Sequence, residues 1–365
     1  MTFRDAVVTD IPRLLEIEHG SFTSDHVTRR SFHHLLTKGR AFTLVALVDE
    51  VVAGYALVLL HGLTALARLY SFAVAPEFRG LGIGPKLLAA AEAEARKRGR
   101  AVMRLEVKTD NHVAIRQYNT AGYAEFERVH DYYEDGGPAI RMEKPLAGGL
   151  RSGKSRVPFY AQTLDFTCGP ASLMMAMRAL DSRVPLERPL ELRLWRESTL
   201  VYMASGHGGC DPVGMALAAQ RRGFKVEVFV TARGPLFLDS VRSDDKRQVM
   251  RLVQADFRTA AREANIPIVQ KALSSSDLAR YVDRGAVPIV LISSWRIYGD
   301  KVPHWVVVTD YDDRFIFIHD PFKDPREVRR AAEGCNVPVA REEFDRMARY
   351  GRTRLRAAVI ISGKS

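Results

Sequence analysis

Cysteine is scarce in this chain. Three cysteines in 365 residues, Cys168, Cys210 and Cys335, are odd in number and widely spaced. They form neither a disulfide framework nor a zinc pattern. No cluster of His, Cys and carboxylate residues has ligand spacing, so no metal is expected. Long apolar runs are missing too. None reaches the ~18 residues that a membrane span needs. The longest, Ala41–Val48 and Val51–Leu60, are split by Asp49 and Glu50. The start, Met1-Thr2-Phe3-Arg4-Asp5, has neither a basic leader region nor an apolar signal core. The expectation is a cytoplasmic protein without a membrane partner. The net charge is +11, yet no Lys/Arg run is interleaved with aromatics, and Arg96-Lys97-Arg98 sits at a helix end. The charge reads as a solvated Arg-rich surface, and nucleic acid is not expected among the partners.

What is present divides in two. The length exceeds one ordinary domain. Residues 1–146 alternate strands and helices, an α/β order. Expected strands are Phe3–Val8, Ala41–Val48, Val51–Leu60, Leu69–Ala75, Val102–Val107, Tyr123–His130 and Ala139–Lys144. A helix capped by Asp10 begins near Ile11, a second runs to Arg98, and a third covers Asn111–Ala121. Residues 147–155, rich in Gly and Ser, read as a linker. From 156 to 365 the order is α+β. A short strand Val157–Tyr160 and a helix Ala171–Leu180 come first, then a helical middle to about Ala286. Strands Val287–Ser293, His304–Asp310, Phe315–His319 and Ala357–Ile361 follow.

In the first domain, Arg79-Gly80-Leu81-Gly82-Ile83-Gly84 lies between a strand and a helix. Glycines there let backbone N–H groups approach an anion at the helix N-terminus, which suits a pyrophosphate. Alone this is a weak signal, shared with other nucleotide turns. With Asn111, Ala114, Ile115, Tyr118 and Gly122-Tyr123 downstream, the segment resembles the GCN5-related N-acetyltransferase family. Asp131-Tyr132-Tyr133-Glu134-Asp135-Gly136 is similar to the peptide-site segment of its ribosomal-protein alanine acetyltransferases. The resemblance implies acetyl-CoA as cofactor, contacted by Phe72, Ala73, Val74, the turn 79–84, Asn111 and Tyr118. It implies Glu106 as the base that deprotonates an acceptor amine, and Tyr118 as the acid that protonates the departing thiolate. Read alone, Glu106 could be a solvated strand residue and Tyr118 core packing.

In the second domain, Gln162 precedes Cys168-Gly169-Pro170-Ala171. Pro170 fits a first helical turn, which puts Cys168 at a helix N-terminus, where a thiolate is favoured. Gln162 could donate to an oxyanion beside it. His304 opens one strand and Asp320 ends its neighbour, so they can sit side by side as base and orienting carboxylate. His319 is a rival base, but strand alternation turns it away from Asp320. These segments resemble the bacteriocin-processing, double-glycine peptidases of papain-like fold. The loop Gly206–Pro212 reads as a wall of the cleft, with Asp211 capping a helix. Cys210 with His207 mimics a site, but Cys210 and Cys335 are expected to be inert.

Together the segments imply a bifunctional enzyme. One domain acetylates a peptide or protein carrying a free amine, and the other is a cysteine peptidase. An acetyltransferase whose second domain only binds peptides or transfers acyl groups is the alternative. Self-cleavage after Gly148-Gly149 is a third, less favoured because glycine pairs are ordinary linker content.

Overall fold

The computed structural model describes residues 1–146, 155–200, 208–299, 302–322 and 334–364. It divides into two units, Met1–Lys154 and Ser155–Ser365. The expected linker 147–155, apart from Ser155, lies outside the described residues, as do Gly148-Gly149 and His207.

The first unit is built on seven strands: β1 (Thr2–Asp5), β2 (Ala41–Val48), β3 (Val51–Leu60), β4 (Leu66–Val74), β5 (Val102–Lys108), β6 (Ala124–Val129) and β7 (Ala139–Pro145). Their order is β1-β2-β3-β4-β5-β7-β6. Asp49 and Glu50 both take positive φ, 47° and 66°. Two such residues make the tight turn whose twist suits a β2–β3 hairpin. The helices are α1 (Ile11–Ser21), α2 (Arg29–Thr37), α3 (Ile83–Lys97) and α4 (His112–Thr120). α2 was not anticipated, although Thr28 caps it by accepting from the Ser31 amide at 3.1 Å. Leu87, Leu88, Ala91 and Ala95 of α3 pack on one sheet face with Ala46, Val58 and Met103. Leu14 and Ile17 of α1 and Phe32 of α2 cover Val45, Tyr55 and Leu57. Alternate residues of β2 and β3 therefore serve two cores, as the pleat requires.

The second unit holds α5 (Cys168–Leu180), α6 (Arg188–Ser198), α7 (Pro212–Gln220), β8 (Phe224–Val230), α8 (Asp244–Glu263), β9 (Ile268–Val269), α9 (Ser275–Asp283), β10 (Val287–Ser293), α10 (Trp295–Tyr298), β11 (Pro303–Tyr311), β12 (Phe315–His319), β13 (Val337–Ala340), α11 (Arg341–Met347) and β14 (Ala357–Lys364). The strand order is β13-β12-β11-β10-β14-β8-β9. α5 and α7 are buried nearly all round and pack on Leu291, Val307 and Val359. Two expectations are corrected. Residues 157–160 form no strand, because the Val157 carbonyl is taken by the His319 ring at 2.7 Å rather than by a sheet. The helical middle is interrupted by β8, where Phe224, Val226, Val228 and Val230 point inward between Lys225 and Glu227. Among the described residues no helix is long and apolar enough to cross a membrane.

Candidate functional sites

In the first unit the sheet opens at the right place for a cofactor. β4 pairs with β5 in parallel only over Leu66–Leu69, then continues along β3 as far as Val74. N–H groups of Phe72, Ala73 and Val74 that turn away from β3 therefore have no β5 partner. The chain then enters the glycine turn. Gly80 and Gly82 take φ of 78° and 70°, and a Cβ on either would meet nothing within 4 Å. Side chains are disfavoured there by backbone conformation, and the space above the turn is open to a phosphate. Gly82 is the N-cap of α3 and offers no side chain, so the first amides of a 15-residue helix face that space. These residues fit acetyl-CoA. Arg79 is turned partly inward, donating to Val74 O and Ser21 Oγ, each at 3.1 Å. Asn111 caps α4, its Oδ1 accepting from the Ala114 amide at 3.1 Å. Its side-chain NH2 group is left for a ligand.

Tyr118 is 7% exposed and lies between Phe72 and Tyr123, with ring centroids 6.5 and 5.7 Å away. Burial pushes its phenol well above the ordinary range, so it keeps its proton. Glu106 is also mostly buried, but both of its oxygens face cations. Arg68 Nε donates to Oε2 at 2.9 Å, and Arg141 Nε lies 3.7 Å from Oε1. Arg68 also donates to the Tyr132 hydroxyl at 2.7 Å. Burial pushes Tyr132 up to about 12 despite that guanidinium. Tyr133 is also raised by burial, and Tyr132, Glu106 and Tyr118 all act on it electrostatically. The Glu134 amide donates to Asp25 Oδ2 at 3.2 Å, tying this loop to the α1–α2 connection. The two arginines were missed by sequence reasoning. The signal lay in cross-strand register, since Glu106 pairs with Arg141 and Arg104 with Glu143.

In the second unit Cys168 is the first residue of α5 and is partly exposed. His304 is 5% and Asp320 1% exposed. His304 Nε2 lies 2.6 Å from Asp320 Oδ1, which leaves Nδ1 as the ring nitrogen available to Cys168, a group near enough to act on the imidazole. Burial opposes a charge on His304, but Asp320 and Cys168 outweigh it and raise the imidazole to about 10. Asp320 is also opposed by burial. Its partners prevail and hold it below the usual carboxylate range. They are His304, the Phe322 amide at 2.9 Å and the Tyr298 hydroxyl at 2.8 Å. The Tyr298 and Phe322 rings stand edge-on to the imidazole, 6.4 and 6.2 Å away.

Gln162 is buried. Its backbone N–H reaches Pro321 O at 2.8 Å, and its Nε2 donates to Leu164 O at 2.9 Å. Oε1 has no partner, and one Nε2 hydrogen remains to donate. The turn before Cys168 and the segment after Asp320 are thereby joined. His319 is saturated: Nδ1 accepts from the Asn336 amide at 2.8 Å, so Nε2 carries the hydrogen given to Val157 O at 2.7 Å. That bonding gives it a structural role. Cys210 is buried, and its thiol is raised by burial and by nearby Cys168. A Cβ on Gly169 would meet Cys210 Sγ at 3.3 Å, so the glycine after Cys168 gives Cys210 room. Asp211 caps α7 through the Val213 amide at 2.7 Å, and burial raises it to about 6. Among the described residues no group of His, Cys, Asp and Glu could hold a metal ion.

Fold and cradle define the first unit as an acetyl-CoA-dependent acetyltransferase, and the second brings a bonded imidazole–carboxylate pair near a thiol at a helix start. Residues 10–123 match the Acetyltransferase (GNAT) family and residues 157–362 the Peptidase_C39 like family. The chain belongs to the first family through its N-terminal domain and to the second through its C-terminal domain. It is 31% identical over 154 residues to an N-alpha-acetyltransferase of Sulfurisphaera tokodaii, covering 39% of this chain and 92% of that protein. To an N-alpha-acetyltransferase of Saccharolobus solfataricus it is 29% identical over 156 residues, with 40% and 93% covered. Among solved structures, the ribosomal-protein-S18-alanine N-acetyltransferase from Escherichia coli is 27% identical, with a TM-score of 0.37, covering 41% of this chain and 99% of that one.

Proposed function

We propose that the chain is a bifunctional peptide- or protein-modifying enzyme. Its first domain moves an acetyl group from acetyl-CoA to an N-terminal α-amine. Its second is a thiol-dependent peptidase of papain-like arrangement. The α-amine acceptor is supported by the relatives' names and by the buried tyrosines beside Glu106. Acetyl-CoA bound along Phe72–Val74 and the glycine turn supplies the acetyl thioester. Tyr118 then holds the proton that the departing thiolate needs. Glu106 is the group to accept the amine proton. Because guanidiniums already face both of its oxygens, it does so through an intervening water or after the Arg68 pair opens.

For the peptidase, the observation that carries the reading is the 2.6 Å His304–Asp320 bond, with Cys168 near enough to act on the same imidazole. The Cys168 thiolate attacks the peptide carbonyl, and the Cys168 amide and the spare Gln162 hydrogen stabilise the oxyanion. His304 gives its proton to the leaving amine, forming a thioester. Water, deprotonated by His304, then releases the acid and restores the thiol. Iodoacetamide alkylation of the native protein, with peptide mapping, tests this. A rapid reaction at Cys168 that persists below pH 7, while Cys210 stays protected, supports the reading. If Cys168 reacts only as a free thiol does, near pH ~8.5, the domain is a non-hydrolytic peptide-binding module.

A further inference from the structure

Glu191 of α6 is fully buried, and no described cation pairs with it. A buried carboxylate is costly unless several donors satisfy it. All of its donors come from one short segment. Glu191 Oε1 accepts from the Thr163 amide at 2.8 Å and from the Thr167 hydroxyl. Oε2 accepts from the Thr163 hydroxyl at 2.6 Å and the Tyr160 hydroxyl at 3.1 Å. That segment contains Gln162 and ends at Thr167, the N-cap of the helix that begins with Cys168. Few other bonds hold it: the Gln162 backbone N–H reaches Pro321 O at 2.8 Å, Gln162 Nε2 reaches Leu164 O at 2.9 Å, and the Thr167 backbone N–H reaches Leu164 O at 3.2 Å.

We infer that Glu191 is a positioning residue of the thiol site. It holds the turn 160–167 so that Cys168 and Gln162 keep their places relative to His304. The inference rests on the peptidase reading. Charge matters less than geometry: a glutamine can accept from the Thr163 amide, while the hydroxyls of Tyr160 and Thr163 rotate to accept from its NH2 group.

The experiment compares wild type, Glu191→Gln and Glu191→Ala as full chains, each checked as folded by circular dichroism. Two readouts are taken: amide hydrogen exchange of peptides spanning residues 160–168, and the rate of Cys168 alkylation at pH 6. Glu191→Ala should speed exchange in that segment alone, by about tenfold or more, and slow alkylation by about tenfold. Glu191→Gln should restore both to within about threefold. Unchanged exchange in Glu191→Ala overturns the inference, as does faster exchange with wild-type alkylation. If Glu191→Ala does not fold, Thr163→Ala, which removes one hydroxyl donor to Glu191, takes its place with the same expected and refuting outcomes, and exchange loosened throughout the domain overturns the inference. Slow alkylation in the wild type itself marks failure of the peptidase reading instead.

Discussion

Replacing Tyr118 by Phe removes one oxygen from a side chain whose observed contacts are ring contacts. Phe72 and Tyr123 flank it, and burial is the cause that raises its phenol. No hydrogen bond of that hydroxyl is found among the described residues, so its loss orphans no buried partner. Stability should change by less than about 1 kcal/mol. The cofactor cradle at Gly80 and Gly82 is untouched, and the dissociation constant for acetyl-CoA should stay within about twofold. The chemical step should suffer. A positioned acid contributes ~10²–10⁴-fold, or roughly 3–5 kcal/mol of transition-state stabilisation. kcat for acetylation of an alanine-initiated peptide, followed as free CoA thiol, should therefore fall by at least about a hundredfold. The pH profile adds a sign. The acid form is the neutral phenol, and burial extends its range upward, so this group sets no alkaline limb below pH ~10. Wild-type kcat in Tyr118→Phe, or a tenfold weaker affinity for acetyl-CoA at unchanged kcat, would refute the role given to Tyr118.

In the second domain, His304→Ala should slow Cys168 alkylation at pH 6 by about tenfold or more, while Cys168→Ala abolishes thiol-dependent cleavage. His319→Leu should leave the alkylation rate within about twofold in folded protein. It should cost about 2–4 kcal/mol in urea unfolding, since Val157 O and the Asn336 amide both lose a buried partner. The reverse pattern would make His319 the base. Asp211 is raised to about 6 in the fold by burial. Its contribution is therefore fully present below its unfolded value near 4 and is lost as pH rises through 6. Asp211→Asn keeps the cap and should stabilise the domain at pH 7 by up to about 3 kcal/mol, flattening the stability profile between pH 4 and 6. Equal urea midpoints for the two forms at pH 7 would contradict this.

The parts of the fold that local chemistry dictates were legible in the chain. The two-residue turn at Asp49-Glu50, the glycine turn before α3 and Pro170 in the first turn of α5 each act within a few residues. So did the alternation of β8, but it was read as part of a helical stretch. The 157–160 segment is apolar and looks like a strand, yet a side chain 162 residues away takes its carbonyl. That is a tertiary event with no local signal. His304 and Asp320 were accessible because each ends a strand and neighbouring strands place such ends together. His319 could be set aside by alternation, but its real employment, bonded on both ring nitrogens, needed Asn336 and Val157 in three dimensions.

Both sites follow the same division. Cys168 sits at a helix start, and Gly80 and Gly82 lie just before or at another. Glu191, Arg68 and Arg141, by contrast, lie in element interiors and reach across. Glu191 belongs to a helix that, read as sequence, is a run of alternating charge, and a glutamate there looks solvated. Arg68 and Arg141 lie on strands flanking β5, and only the β4-β5-β7 order directs both at Glu106. Glu106 is thus held by two guanidiniums, one of which also donates to the Tyr132 hydroxyl of the 131–137 loop. Opening the Arg68 pair to free Glu106 would also release Tyr132. Under the role proposed for Glu106, a mutation of Arg68 made to expose the base should therefore also free the Tyr132 hydroxyl.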